Sequence, residues 1–345
     1  MSAMRRFKIH VPQDSLEGLR QKLALCDIPN DGLAEPEQSS STWACGVPAS
    51  EINRLALSWR ATYDWRKTEA HLNTFPQFIV SIDVEGFGAY RIHHIHKRSS
   101  ALNSVSLLFL HGWPWCSIEG DTRTFHAVAP SLIDFGLSSP RRAKGFSFEQ
   151  HAEAYDELMM RLGYKGYVVQ AGDVGSSVTG YMAKKYRPPR CKTYHTDTPA
   201  PAELNSSTHP ELHAEFMGPE RGGIFSADGL GYYKDPTIHN RLLGIYLLNP
   251  PGPEAAGSMY YATEHSNPPE LAAAAAYVGV PFGAARFRND LVLLRGLWNR
   301  TLGPLVYQSE CEKGEHLAAW ERPDAIIEDL WQIFDKGGTA REYVR

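Results

Sequence analysis

Short apolar segments alternate with amphipathic ones along the middle of the chain. Residues 105–110 and 125–130 are apolar runs of strand length, and residues 167–169 form a third. Residues 148–162 place apolar positions at the period of a helix, and residues 193–197 indicate a further strand. Continuous apolar strands are typical of a sheet that is covered on both faces. The alternation therefore predicts a parallel α/β sheet.

The first hundred residues follow a different pattern. Apolar positions at helical spacing predict one helix over residues 12–25 and another over residues 46–63. Two strand-like runs follow, at residues 78–83 and 89–96, and a Gly-Phe-Gly turn joins them. We expect residues 1–100 to form an N-terminal arm that packs on the main domain.

The α/β pattern is interrupted after the fourth predicted strand. Residues 198–275 are rich in Pro, Gly and Tyr, which is typical of an inserted cap. Strand character returns at residues 277–283 and 305–308, and residues 324–334 predict a closing helix. We therefore expect the core to comprise residues 101–197 and 276–345, with the cap between them.

Composition excludes several classes of protein. The hydrophobic share of 43% and the charged share of 21% are those of a globular chain, and a net charge of -4 argues against nucleic acid as a partner. No apolar run approaches the roughly 20 residues of a membrane span. The first residues lack the apolar segment of a signal peptide, and the five Cys are scattered. We expect a soluble, cytoplasmic protein with reduced thiols.

Three histidines lie close together in the predicted strand at residues 89–96. His94 and His96 alternate onto one face and His93 onto the other. No further ligand follows at the spacing of a zinc site, so we expect no metal.

A strand-to-helix turn carries the strongest chemical signal. Gly-Asp-Val-Gly-Ser at residues 172–176 lies between the strand at 167–169 and a predicted helix at 176–185. Small residues around one exposed side chain are the mark of a nucleophile elbow, and here that side chain belongs to Asp173. A carboxylate nucleophile forms an ester with a carbon electrophile, which points to epoxides or alkyl halides. The alternative is that Asp173 only caps the following helix.

A second motif follows the strand at 105–110. His-Gly-Trp-Pro at residues 111–114 stands at the carboxyl edge of the predicted sheet, where active sites collect. Hydrolases place a backbone donor of the oxyanion hole after such a strand, and we assign this donor to Trp113. The alternative is a plain turn with a packing Trp.

Taken together, the motifs resemble those of the microsomal-type epoxide hydrolases, which are α/β-hydrolases with an additional N-terminal helical arm. The resemblance covers nearly the whole chain. It rests on residues 63–78 (Tyr-Asp-Trp-Arg to Phe-Pro-Gln-Phe), 111–114, 170–176, 287–290 (Phe-Arg-Asn-Asp) and 314–323. It implies an α/β-hydrolase fold with an inserted cap, no metal and no organic cofactor.

The resemblance also implies roles for single residues. Asp173 would be the nucleophile, His316 the general base and Asp290 the acid that orients His316, in the chain order of α/β-hydrolases. The backbone N–H groups of Val174 and Trp113 would form the oxyanion hole. The alternatives are a turn histidine for His316 and a solvated loop acid for Asp290.

Two cap tyrosines would protonate the alkoxide that ring opening leaves. Tyr232 best fits the first and Tyr261 the second, while their neighbours Tyr233 and Tyr260 stay open as alternatives. Cap tyrosines also serve as packing residues. The crossover after residues 111–114 and the cap after the first tyrosine both look shorter than is usual in the family.

The resemblance implies an epoxide hydrolase that converts a small-molecule epoxide to a vicinal diol. Two alternatives remain. A haloalkane dehalogenase would use the same nucleophile, but the side chain of Val174 offers no N–H donor for a halide. A member that has lost hydrolysis would bind a metabolite or open an epoxide with an internal nucleophile. Whether the chain forms a homodimer is left open.

Overall fold

A computed structural model of the chain describes residues 3–26, 49–112, 125–140, 143–199, 273–290, 296–335 and 337–344. These residues form one sheet of nine strands in the spatial order β1-β2-β3-β5-β4-β6-β7-β8-β9. The strands are β1 (Arg5–Arg6), β2 (Gln77–Val84), β3 (Gly88–Lys97), β4 (Val105–Leu110), β5 (Phe125–Pro130), β6 (Tyr167–Ala171), β7 (Cys191–Thr196), β8 (Phe282–Asn289) and β9 (Leu305–Glu315).

The described helices flank this sheet. They are α1 (Gln13–Leu25), α2 (Ala49–Ala61), α3 (Trp65–Leu72), α4 (Phe148–Arg161), α5 (Val174–Lys185), α6 (Ala318–Glu321), α7 (Pro323–Phe334) and α8 (Arg341–Val344), with a 3-10 helix at Gly296–Thr301. In the described segments, no helix combines the length and the apolar character needed to cross a membrane.

The sheet is parallel from β5 to β9 and antiparallel at its other end. β4 pairs in parallel with β5 and β6, and the parallel pairing continues through β7 and β8 to β9. β1, β2 and β3 pair antiparallel, and β3 joins β5 antiparallel. The strands of the N-terminal segment thus extend the same sheet. The predicted parallel α/β sheet is confirmed, and it presents the carboxyl ends of six parallel strands at one edge.

Both faces of the sheet are buried. Leu108 and Leu110 of β4 belong to a core with residues of α4 and α5. Val105 and Leu107 point the other way, into a core with residues of α7. Because successive side chains of a strand alternate between faces, burial on both sides requires a continuous apolar strand.

The structure departs from the predicted elements in the last third. β8 begins at Phe282 rather than at 277, and Tyr277 is 64% exposed. β9 continues to Glu315, whereas the pattern predicted only residues 305–308. The added stretch is polar because β9 lies at the edge of the described sheet, and its pairing with β8 holds it in place. α3 and β1 were also not predicted.

Two side chains near α3 hold the segment that precedes α1. Asn73 accepts from Ile9 N–H at 2.8 Å and donates to the Ile9 carbonyl at 2.9 Å. The buried Glu69 accepts from Val11 N–H at 2.7 Å. Burial disfavours the charge of Glu69, but hydrogen bonds from Val11 and from neighbouring side chains outweigh it and lower its pKa. An ionised Glu69 therefore stabilises the docking of this segment.

We predict that Glu69→Gln lowers the free energy of unfolding by about 1–3 kcal/mol, the range for losing one partner of a buried charged hydrogen bond. Because the pKa of Glu69 is lower in the folded protein, its ionised form stabilises the fold fully at pH values above the unfolded pKa, near 4.5. This stabilisation is lost as the pH falls through the pKa of Glu69 in the folded protein. The difference between the two proteins should therefore be largest at neutral pH and shrink in acid. Denaturant titrations at several pH values measure it. Glu17→Gln, at an exposed carboxylate, is the control, and a loss that is equal at every pH would contradict the prediction.

Candidate active site

The turn between β6 and α5 has the geometry of a nucleophile elbow. Asp173 has φ 51° and ψ -129°, a positive φ that residues other than Gly rarely adopt. Its carbonyl accepts from Ser176 N–H at 3.0 Å, and its own N–H donates to Thr198 Oγ1 at 3.1 Å. Such strain persists only where the surroundings over-determine the backbone. The turn lifts the Asp173 side chain to the carboxyl edge of the sheet.

Two glycines leave room for this turn. A Cβ on Gly112 would lie 2.0 Å from Asp173 Oδ1, so the end of β4 can approach the carboxylate only without a side chain. A Cβ on Gly175 would lie 2.3 Å from the Leu110 carbonyl, so α5 likewise starts against the end of β4. The small residues of both sequence motifs therefore have a packing reason.

His316 lies between two carboxylates. Its Nε2 is 3.1 Å from Asp173 Oδ2, and its Nδ1 is 2.7 Å from Asp290 Oδ1. Asp290 directly follows β8 and His316 directly follows β9. Each of the three side chains is less than one fifth exposed. The structure thus brings together the three residues that the sequence proposes as nucleophile, base and orienting acid.

The two carboxylates determine the charge of His316. Burial favours the neutral ring, but the hydrogen bonds and negative charges of Asp173 and Asp290 outweigh it and raise its pKa to about 10. At neutral pH His316 is therefore an imidazolium that pairs with both acids.

The predicted oxyanion hole is described in part. Val174 is the first residue of α5, and the first N–H groups of a helix have no acceptor within the helix. Its N–H is therefore available beside Asp173. Trp113, Tyr232 and Tyr261 lie outside the described residues, so their roles stay predictions.

His111 has a role that the sequence did not indicate. Its Nε2 accepts from Leu132 N–H at 3.3 Å, and its Nδ1 donates to the Gly112 carbonyl at 2.8 Å. Burial lowers its pKa to about 4, although Gly112 and the charge of Asp173 oppose this shift. The neutral ring braces the backbone where the second motif begins.

The residues that follow β7 also belong to the site, and sequence reasoning missed them. Thr198 Oγ1 accepts from the Asp173 N–H and donates to Asp197 Oδ1 at 3.3 Å. Asp197 is 2% exposed. A usable signal was present, because polar residues at the carboxyl end of a parallel strand face the active edge. The sequence instead indicated that Asp197 is the last residue of the strand.

The histidines of β3 are engaged elsewhere. His93 bonds Ser131 Oγ and Gln77 Oε1 at 2.9 Å each, His94 stacks on Phe78, and His96 bonds Tyr164 at 2.7 Å. The described residues contain no group of three or more His, Cys, Asp or Glu placed to hold a metal ion.

Known proteins resemble the chain over both of its parts. The model of the alpha/beta hydrolase fold matches residues 105–223, and that of the epoxide hydrolase N terminus matches residues 4–120. A protein of Stigmatella aurantiaca (strain DW4/3-1), whose name places it among the epoxide hydrolases, is 29% identical over 381 positions. The match covers 95% of this chain and 84% of that protein. It extends over more positions than the 345 residues of this chain, so that relative carries insertions which this chain lacks.

Solved structures of epoxide hydrolases have a fold similar to that of this chain. An enantioselective mutant of epoxide hydrolase from Aspergillus niger has a TM-score of 0.71 at 26% identity, with 95% of each chain covered. Juvenile hormone epoxide hydrolase from the silkworm Bombyx mori has a TM-score of 0.71 at 20% identity, covers 99% of this chain and 95% of that chain, and shows the fold.

The sheet order, the elbow and these likenesses define an α/β-hydrolase. Within that class, the chain combines a region that matches the epoxide hydrolase N terminus with an α/β-hydrolase core, and relatives named epoxide hydrolase resemble it over 95% of its length. The resemblance indicated by the sequence motifs is thereby confirmed.

We predict that Asp290→Asn lowers the pKa of His316 by about 1–3 units, because one of its two anionic partners becomes neutral. NMR titration of the His316 ring measures this without any substrate. The exposed Asp324→Asn serves as control and should leave the titration unchanged. An unaltered midpoint in Asp290→Asn would mean that the contact at 2.7 Å does not govern the charge of His316.

Proposed function

We propose that the protein is an epoxide hydrolase in which Asp173 opens the epoxide and His316 drives hydrolysis of the resulting ester to a vicinal diol. The observation that carries the proposal is the contact of His316 with both acids, at 3.1 Å to Asp173 and 2.7 Å to Asp290, behind a strained elbow. The names of the similar proteins support the substrate class.

In the first half-reaction, an oxygen of Asp173 attacks a ring carbon. The carbon–oxygen bond of the ring breaks, and the ring oxygen leaves as an alkoxide that takes up a proton. We propose Tyr232 and Tyr261, both outside the described residues, as the proton donors. His316 remains protonated during this step, and its positive charge does not prevent Asp173 from being the ionised nucleophile.

Ester formation changes His316 from an acid to a base. The ester of Asp173 carries no charge and hydrogen-bonds more weakly, so one of the two causes of the high pKa of His316 disappears. The proton that His316 then releases restores the tyrosine that gave up its own. A neutral His316, oriented by Asp290, can then take a proton from water.

In the second half-reaction, the hydroxide adds to the ester carbonyl of Asp173. The N–H groups of Val174 and Trp113 hold the oxyanion. When the intermediate collapses, the ester carbon–oxygen bond breaks and the new carboxyl group gives its proton to the departing alkoxide. The diol leaves, Asp173 is again a carboxylate, and His316 again carries a proton.

We predict that Asp173→Ala abolishes turnover of styrene-type epoxides and that His316→Gln traps the ester. Alkylation needs only the carboxylate, whereas hydrolysis needs the base. Mass spectrometry of His316→Gln with substrate should show an adduct on the peptide that contains Asp173. The control is His10→Gln, at an exposed histidine, which should turn over normally without an adduct.

Other outcomes identify the alternatives. Near-normal turnover by Asp173→Ala would refute the mechanism. A stable adduct in the unaltered protein would favour the member that has lost hydrolysis. Release of halide from haloalkanes, together with no turnover of epoxides, would favour the dehalogenase.

We predict that Tyr232→Phe or Tyr261→Phe alone slows alkylation and that the double variant stops it, because an unprotonated alkoxide is a poor leaving group. A positioned proton donor contributes about 10²–10⁴-fold. Single-turnover adduct formation measures the step. Tyr233→Phe and Tyr260→Phe are the matched controls, and a stronger effect at either one would move the assignment to that neighbour.

A further inference from the structure

Three neighbouring parallel strands each lead into an aspartate at the same edge. Asp173 follows β6, Asp197 follows β7 and Asp290 follows β8. The proposed mechanism uses the two outer ones. The central Asp197 is 2% exposed, and no step of that mechanism requires it.

Asp197 is tied to the elbow through one hydroxyl group. Thr198 Oγ1 accepts from the Asp173 N–H at 3.1 Å and donates to Asp197 Oδ1 at 3.3 Å. Because the Thr198 hydroxyl donates its hydrogen bond to the carboxyl group, its lone pairs face the N–H of the strained Asp173. The backbone is fixed as well, since the Asp197 N–H donates to the Ala171 carbonyl at 3.2 Å.

A buried polar row holds the other oxygen of Asp197. Gln170 Nε2 lies 3.4 Å from Asp197 Oδ2. The carbonyl of Gln170 accepts from His195 Nδ1, so the amide must turn its N–H side towards Asp197. His195 Nε2 in turn lies 3.3 Å from Asp329 Oδ2. Gln170 and His195 are fully buried, which leaves the carboxyl group of Asp197 little freedom.

The charged groups around Asp197 lie on the neighbouring strand ends. Asp290, after β8, and His316, after β9, face it. On the other side, β6 presents the uncharged amide of Gln170 and leads to Asp173, which Thr198 links to Asp197. Burial raises the pKa of Asp197 to about 8, the charge of Asp290 adds to this, and His316 opposes it. His316 is also faced by Asp173, Asp290 and Glu321, and burial raises the pKa of Glu321 to about 7.

We propose that Asp197 is a positioning residue of this site, which fixes the nucleophile elbow through Thr198 and adjusts the basicity of His316 through its own protonation. The second part rests on the proposed function. After ester formation, an uncharged Asp197 leaves Asp290 as the aspartate that holds the proton on His316. Once Asp197 ionises, its negative charge raises the pKa of His316. Less neutral ring is then present at a given pH, and ester hydrolysis slows relative to a site that lacks this charge.

Asp197→Asn tests the electrostatic part, because the amide resembles the protonated acid but cannot ionise. The pKa of His316 in the resting protein should fall by about one unit, as expected for removing a nearby charge at an intermediate effective dielectric. NMR titration of the ring measures it. Single-turnover ester hydrolysis against pH should lose the alkaline transition that ionisation of Asp197 causes. This transition lies above the resting pKa of about 8, because a neutral His316 no longer opposes the effect of burial.

Two variants serve as controls for this titration. Asp156→Asn removes another buried aspartate whose pKa burial raises, but one that lies among Arg190, Glu157 and Lys185, and it should change neither measurement. Glu321→Gln should remove a separate transition at lower pH and leave that of Asp197 in place.

Thr198→Val tests the positioning part. It keeps the carboxyl group of Asp197 but deprives the Asp173 N–H of its acceptor. Adduct formation should slow about tenfold, the size expected for one buried hydrogen bond, while the titration of His316 stays as in the unaltered protein. Thr198→Ser, which restores a hydroxyl group, should recover most of the rate.

Each part can be overturned separately. An unchanged His316 titration in Asp197→Asn refutes the electrostatic part, and an unchanged alkylation rate in Thr198→Val refutes the positioning part. Should Asp197→Asn not fold, NMR titration of the Asp197 carboxyl carbon in the unaltered protein replaces it. A midpoint near 4 would refute the electrostatic part. The titrations need no turnover. A folded protein that forms no ester on Asp173 would refute the proposed function without affecting the titration results.

Discussion

The candidate site exists because parallel strands pair in one register. Ala171 at the end of β6 lies opposite Thr196 at the end of β7, so the residues that follow them, including Asp173 and Thr198, emerge side by side. Asn289 of β8 lies opposite Glu315 of β9, and the next residues of these two strands are Asp290 and His316. Asp173 and His316, 143 positions apart in the sequence, therefore meet at 3.1 Å. A register slip of one residue would turn these side chains away from one another.

This register also concentrates negative charge, which the single cation of His316 partly offsets. Asp173, Asp197 and Asp290 are held within one buried edge, and burying like charges is costly unless they are paired or neutralised. The site combines both solutions. His316 pairs with Asp173 and Asp290, whereas burial keeps a proton on Asp197 at neutral pH. The arrangement therefore depends on where its protons reside.

The sequence predicted those parts of the fold and site whose local pattern agrees with their environment. The elbow was predictable because the small residues that Asp173 needs lie with it in the five-residue motif at 172–176. The strand at 105–110 was predictable because both of its faces are buried, which requires a continuous apolar run. His316 and Asp290 were found through family motifs, since no local pattern marks them. The end of β9 was missed because pairing with β8, rather than apolar alternation, makes it a strand. Asp197 was missed because its importance comes from the strands on either side, which a linear pattern does not contain.

A carboxylate nucleophile changes what the histidine of an α/β-hydrolase must do. A serine has to lose its proton before it attacks, so its histidine must be neutral at rest. On the proposed mechanism, Asp173 attacks as a carboxylate, so an imidazolium beside it costs the first step no proton transfer. The histidine is needed as a base only after the ester has formed, and ester formation removes one of the two negative charges that held its proton. On the proposed mechanism, the 3.1 Å contact between His316 and Asp173 therefore sets the order of the two half-reactions. Under that mechanism, a third acid is compatible with this order only while it stays uncharged. Burial keeps Asp197 in that form against the hydrogen bond from Thr198, which favours the carboxylate.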